Sequence, residues 1–174
     1  VGNFSGLVAG HIYFIIYISI TFGLFSFLLG IRSEDGLKVK RLSELKGLFF
    51  TVPVACILFC ILVFSLAGLP PMGGFLSKFL VFYNLVWSDF FFLCIFVLLV
   101  TVISVFYYLR LVRLLFFDIS KDVAVQVFVL PMPFFNSLVL FASGAVNLIL
   151  LFLPVWFIYL VESPILSLSC YVFM

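Results

Sequence analysis

The sequence predicts an all-α, polytopic helical membrane protein of about five transmembrane helices, one of them discontinuous. Composition, segment length and one break carry this reading. Hydrophobic residues make up 67% of 174 residues, charged residues only 9%, and the mean hydropathy is +1.45. A soluble domain carries about 45–50% apolar and about 25% charged residues. A soluble enzyme, a nucleic-acid binder and a disordered segment are excluded on that ground. Five apolar segments approach the length of about 20 residues that a bilayer-spanning helix needs. One run dense in glycine and proline interrupts them.

The first span covers about residues 7–31, uncharged apart from His11. A polar loop, 32–46, follows, holding eight of the 16 charged residues. The second span covers about 47–69, with Pro53 near its start, where a missing N–H is tolerated. Next comes Gly68-Leu69-Pro70-Pro71-Met72-Gly73-Gly74, two prolines and three glycines in seven residues. No uninterrupted helix contains such a run, so the third span, about 72–88, is short or broken near its start. Irregular backbone at membrane depth survives only under cover of protein or beside a water-filled cavity. Ser88-Asp89 is an N-cap signal for the fourth span, about 90–117. Arg110 and Arg113 near its end suit the negative pole of a helix, or serve as interfacial anchors. Residues 118–133 form a loop, and the fifth span covers about 134–161, kinked or ended by Pro154. The whole chain is one transmembrane domain.

The net charge of +2 implies no nucleic-acid or acidic partner. Four cysteines without a C-x-x-C pair and a single histidine build no iron–sulfur, zinc or bis-histidine haem site, so no cofactor or metal is expected in this chain. Phenylalanine, 26 of 174 residues, fits a T-rich genome of the organellar kind. Five spans would set the 32–46 loop opposite Arg110, Arg113 and Lys121. Five cations against three would then place the loop inside.

Lys78 is the sharpest functional signal, a cation deep in an apolar segment. An ammonium at the centre of a membrane helix costs about 2.5–3.5 kcal/mol on insertion scales and marks a functional site by default. The plainer alternative is a lysine that snorkels to the interface. Ser77 and Asn84 share a helical face beside it and would hold water near the amine. The adjacent break, with Gly68, Pro70, Pro71, Gly73 and Gly74, reads as an ion site in a broken helix or as a plain turn. Thr101, Ser104 and Tyr108 follow i, i+3, i+7 spacing on the fourth span. They would line a hydrated path, or make ordinary interhelical hydrogen bonds. Asn136, Ser143 and Asn147 form a similar stripe on the fifth span. Tyr13 and Tyr17, one turn apart, read as packing residues, and His11 as interfacial.

The run Phe64-Ser65-Leu66-Ala67-Gly68-Leu69-Pro70-Pro71-Met72-Gly73-Gly74-Phe75-Leu76-Ser77-Lys78-Phe79 resembles the signature of subunit 2 of mitochondrial NADH dehydrogenase, respiratory complex I. Three further stretches agree in order and spacing: Ile12–Tyr17 followed by Thr21, Leu42–Leu48, and Tyr107–Arg113 with Phe116-Phe117. The resemblance covers about residues 7–117 well and the last span loosely. It implies a bundle of inverted repeats, each with a discontinuous helix, of which this chain holds four helices of the second repeat plus the last helix. It implies that Lys78 belongs to a polar axis carrying protons, as a relay. It also implies that the 32–46 loop faces the intermembrane side and Arg110 and Arg113 the matrix.

The expected setting is the mitochondrial inner membrane. The expected partners are lipids, other membrane-arm subunits of complex I and a separate chain supplying the N-terminal half of subunit 2. NADH, FMN, iron–sulfur clusters and ubiquinone would be bound elsewhere in the complex. Two rival readings remain open at this point: a subunit of a cation/proton antiporter, and a structural membrane subunit with no proton path of its own.

Overall fold

A computed structural model describes residues 4–32, 45–70, 72–117, 133–152 and 158–163. Most of the 32–46 loop, Pro71, the 118–132 loop with Lys121, and Pro154 lie outside the described residues. Five helices follow in chain order: α1 Phe4–Gly30, α2 Pro53–Ala67, α3 Gly73–Trp87, α4 Phe91–Phe116 and α5 Phe134–Phe152. A short 3-10 turn, Leu48–Phe50, precedes α2. Residues 158–163 are helical as well.

One stripe of α1 builds the interior. Val8, Ile12, Ile16, Ile20, Gly23 and Phe27 recur every three or four residues and are all buried. This stripe runs the whole helix and receives α5 most extensively, then α3 and α2. Gly23 lets the backbones approach, because a Cβ there would collide with Ser143 of α5 and Leu62 of α2. The Phe27 and Phe59 rings pack at 4.3 Å. Pro53 opens α2 at its first turn, as its missing N–H permits.

The expectation of separate spans at 47–69 and 72–88 meets a different arrangement. α2 and α3 have 15 residues each. Each is therefore about 22 Å long, less than a hydrocarbon core of about 30 Å. α4 decides how the two relate. It starts just beyond the end of α3, where Phe90 N–H bonds the Leu85 carbonyl at 3.0 Å, and it ends with Phe116 packed on Phe49 at 4.6 Å, just before α2. A straight helix of 26 residues holds those points about 39 Å apart. The end of α3 thus lies far from the start of α2, so α2 and α3 stack end to end along α1 as two halves of one broken helix.

This stacking also changes the distribution of charge. Phe27 near the end of α1 packs on Phe59 of α2, and Phe116 near the end of α4 packs on Phe49 just before α2, so the end of α1, the approach to α2 and the end of α4 share one end of the bundle. α5 starts there too, because Ser26 Oγ donates to the Asn136 carbonyl at 2.8 Å. Among the described residues, every Lys and Arg except Lys78, namely Arg32, Lys46, Arg110 and Arg113, belongs to the segments at that one end. The expected opposition between the 32–46 loop and Arg110 and Arg113 is corrected. It came from treating α2 and α3 as two crossings. The expected N-cap at Ser88-Asp89 is corrected too. Ser88 closes α3, Asp89 takes a left-handed turn at φ 59°, and Phe90 precedes α4 with no side-chain cap.

Candidate functional site: the helix break around Lys78

A helix end leaves four carbonyls without an intrahelical donor. At the end of α2 these are Phe64, Ser65, Leu66 and Ala67. Gly68 adopts φ 81°, the left-handed cap that glycine tolerates. Its N–H bonds the Ser65 carbonyl at 3.0 Å, and the Leu69 N–H bonds the Phe64 carbonyl at 3.1 Å. The remaining two carbonyls are taken by Lys78, whose Nζ donates to Leu66 at 2.7 Å and Ala67 at 3.2 Å. A cation at the carbonyl end of a helix also meets the negative pole of its dipole. The lysine belongs to α3, so the second half-helix caps the first.

The reverse also holds. The Gly74 N–H at the start of α3 donates to Ser65 Oγ at 2.9 Å. Ser65 Oγ in turn donates to Asn147 Oδ1 of α5 at 2.7 Å. Asn147 Nδ2 donates to the Ser143 carbonyl at 3.0 Å, and both Ser65 and Asn147 are fully buried. The contact between the halves requires Gly74, because a Cβ there would overlap the Ser65 carbonyl. At Gly68 a Cβ would meet Lys78 Cδ at 2.9 Å. The Ser65 and Gly74 side of the break is thus covered by protein, whereas Leu69 and Pro70 are exposed on the surface of this chain.

A small cleft of about 10 Å³ opens beside the amine, walled by Lys78, Ser77 and Gly74 on one side and by Tyr13 and Tyr17 of α1 on the other. The two tyrosine rings stack at 6.0 Å. Tyr108 of α4 is partly buried against the hydrophobic core and does not line this cleft. An amine with two carbonyl acceptors and an open third direction can hold a proton, or pass one to a cleft that contains water or hydroxyls.

The structure places the other candidates as follows. Ser77 is buried at the cleft and donates to the Gly74 carbonyl at 2.9 Å. Asn84 Nδ2 donates to Leu80 at 2.8 Å, one turn back on its own helix. Thr101 and Ser104 also donate to their own helix, to the carbonyls of Leu98 and Thr101, each at 2.7 Å. Pro70 and Gly73 lie in the break, and Gly73 faces Leu150 and Asn147. Sequence reasoning missed Ser65 as a site residue and set Asn147 aside as one of a stripe. A serine three residues before the helix-ending glycine, facing a break, was the available signal for Ser65.

Comparison with known proteins agrees with this architecture. A family described as NADH:quinone oxidoreductase/Mrp antiporter, transmembrane, matches residues 1–104, more than half of the chain. NADH-quinone oxidoreductase subunit N of Parvibaculum lavamentivorans is 34% identical over 153 residues, covering 88% of this chain and 31% of that protein. The subunit N of Rhizorhabdus wittichii is 39% identical over 117 residues, covering 67% of this chain and 24% of that protein. A chain in the structure of respiratory complex I from Thermus thermophilus with bound aureothin superposes with a TM-score of 0.67 at 27% identity. That match covers 84% of this chain and 32% of the other. The chain spans about a third or less of the length of these relatives. The expected all-helical membrane fold stands, and the chain belongs to the NADH:quinone oxidoreductase/Mrp antiporter transmembrane family.

Proposed function

We propose that the chain contributes to proton translocation in the membrane arm of respiratory complex I, as the C-terminal part of its subunit 2, with Lys78 as a titrating relay. The observation that carries this reading is the Lys78 amine lodged in a helix break, midway along a membrane helix, beside a cleft. An intramembrane cation with a defined partner and room for water is suited to taking up and releasing protons. Helices that complete the subunit, on this or another polypeptide, and the other membrane-arm subunits would be its partners, with lipid around them. NADH oxidation and quinone reduction would occur elsewhere in the complex. The Pro-Pro form of the motif supports subunit 2, and the phenylalanine bias supports the mitochondrial inner membrane as its location. The basic end of the bundle would then face the matrix, since positive charge is retained on the inner side.

The test is Lys78→Met in the assembled complex. Protons moved per NADH oxidised should fall, and Lys78→Arg, which cannot release its proton at working pH, should fall with it. One observation favours a second, structural reading: the amine already serves as the cap of α2. On that reading Lys78→Arg keeps the cap and pumps normally, whereas Lys78→Met fails at assembly.

A further inference from the structure

Tyr13 and Tyr17 sit where packing alone needs no hydroxyl. α1 runs from Phe4 to Gly30, so Tyr17 is its midpoint. Both tyrosines wall the cleft beside Lys78. Among the described residues neither hydroxyl has a hydrogen-bond partner, and Lys78 uses only two of its three N–H groups. At membrane depth a polar group without a partner is unfavourable by several kcal/mol, as an unsatisfied backbone group is. Lys78, Tyr13 and Tyr17 line one cleft, the two tyrosines also being partly exposed at the surface of the chain, so a single water there can bridge them. The cleft, about 10 Å³, has room for about one water. Stacking holds the rings one turn apart on one face.

We propose that Tyr13 and Tyr17 form the hydroxyl path through which Lys78 exchanges its proton. The proposal rests on the relay reading of Lys78. In the transfer an N–H bond of the ammonium breaks and a new O–H bond forms on Tyr17 or on a water between them. The hydroxyl's own proton passes at the same time to the next oxygen, a water and then Tyr13, and the Tyr13 hydroxyl's own proton leaves to water outside the cleft, which carries the charge away as hydronium. Each oxygen of the path ends neutral with its original number of hydrogens, and the amine ends neutral. No electron moves, so no oxidant is needed.

Tyrosine to phenylalanine removes the hydroxyl and keeps the stacked ring. Tyr13→Phe, Tyr17→Phe and the double variant are introduced into the assembled complex beside Lys78→Met, and protons per NADH are measured in sealed vesicles. The double variant should lose as much pumping as Lys78→Met, and each single variant should fall between it and the parent. The slowing of proton delivery in heavy water should shrink in the double variant. If Lys78→Met loses pumping while both single variants and the double variant match the parent, the tyrosine path is overturned and the relay reading stands. If Lys78→Met itself pumps normally, both fall. Should the double variant assemble poorly, the two single variants decide the matter by the same comparison with the parent.

Discussion

The break between α2 and α3 and the long helix α4 satisfy their polar groups in opposite ways. At the break, orphan carbonyls and N–H groups are met by side chains from another element: Lys78 reaches α2, Ser65 reaches α3, and Asn147 reaches in from α5. In α4 the backbone ladder is unbroken, and Thr101 and Ser104 turn their hydroxyls back onto their own helix. Only Leu115 of its 26 residues is buried in the chain. A regular helix satisfies itself in hydrocarbon and can stand at the rim of the bundle, against lipid or another subunit. A broken helix cannot, so it is held by neighbours and carries the groups that respond to them. Chemistry collects where the backbone is interrupted.

Substitutions that separate the two regions should range widely in effect. Gly74→Ala forces a methyl into the Ser65 carbonyl and should destabilise the bundle by about 3 kcal/mol, read as lost assembly or a lower thermal midpoint in detergent. Asn147→Leu leaves the buried Ser65 hydroxyl without its acceptor and should remove about 2 kcal/mol by the same measurement. Gly68→Ala places a side chain in left-handed backbone and should lower stability by about 1–2 kcal/mol, with Lys78 displaced from its carbonyls. Thr101→Val with Ser104→Ala should change stability by less than about 0.5 kcal/mol per site and leave pumping intact. A large effect on pumping from that last pair, in fully assembled complex, would show that α4 also carries the path and erase the contrast.

Stacking of the two half-helices has its own check. Single cysteines placed at Lys46 and Arg113 should react with an impermeant thiol reagent from the same side of the membrane, and one at Asp89 from the other. Opposite accessibility of positions 46 and 113 would restore α2 and α3 as two separate crossings.

Much of this was legible in the residues. Apolar length announced the helices, and the Gly/Pro run with Lys78 six residues beyond Met72 announced the site. Two things were not legible. Glycine and proline stop a helix, but they do not say whether the chain then reverses or continues, because both outcomes need the same freed backbone. Spacing puts Asn84, Thr101 and Ser104 on helical faces. It does not say whether a hydroxyl or amide looks outward or donates to the carbonyl three or four residues back, which both backbone and rotamer allow. Tyr13 and Tyr17 looked like packing for the same reason. A ring is apolar at any address, and only its neighbours give its hydroxyl a task.

By itself the sequence determined that this chain lives in a bilayer, where it must break, and which cation it keeps inside, since each follows from local composition and backbone chemistry. Only the tertiary structure decided that α2 and α3 are collinear, that Lys78 and Ser65 cap each other's half-helix, and that two tyrosines line the cleft beside the amine. Those are relations between segments far apart in the chain, and they are set by which surfaces pack together.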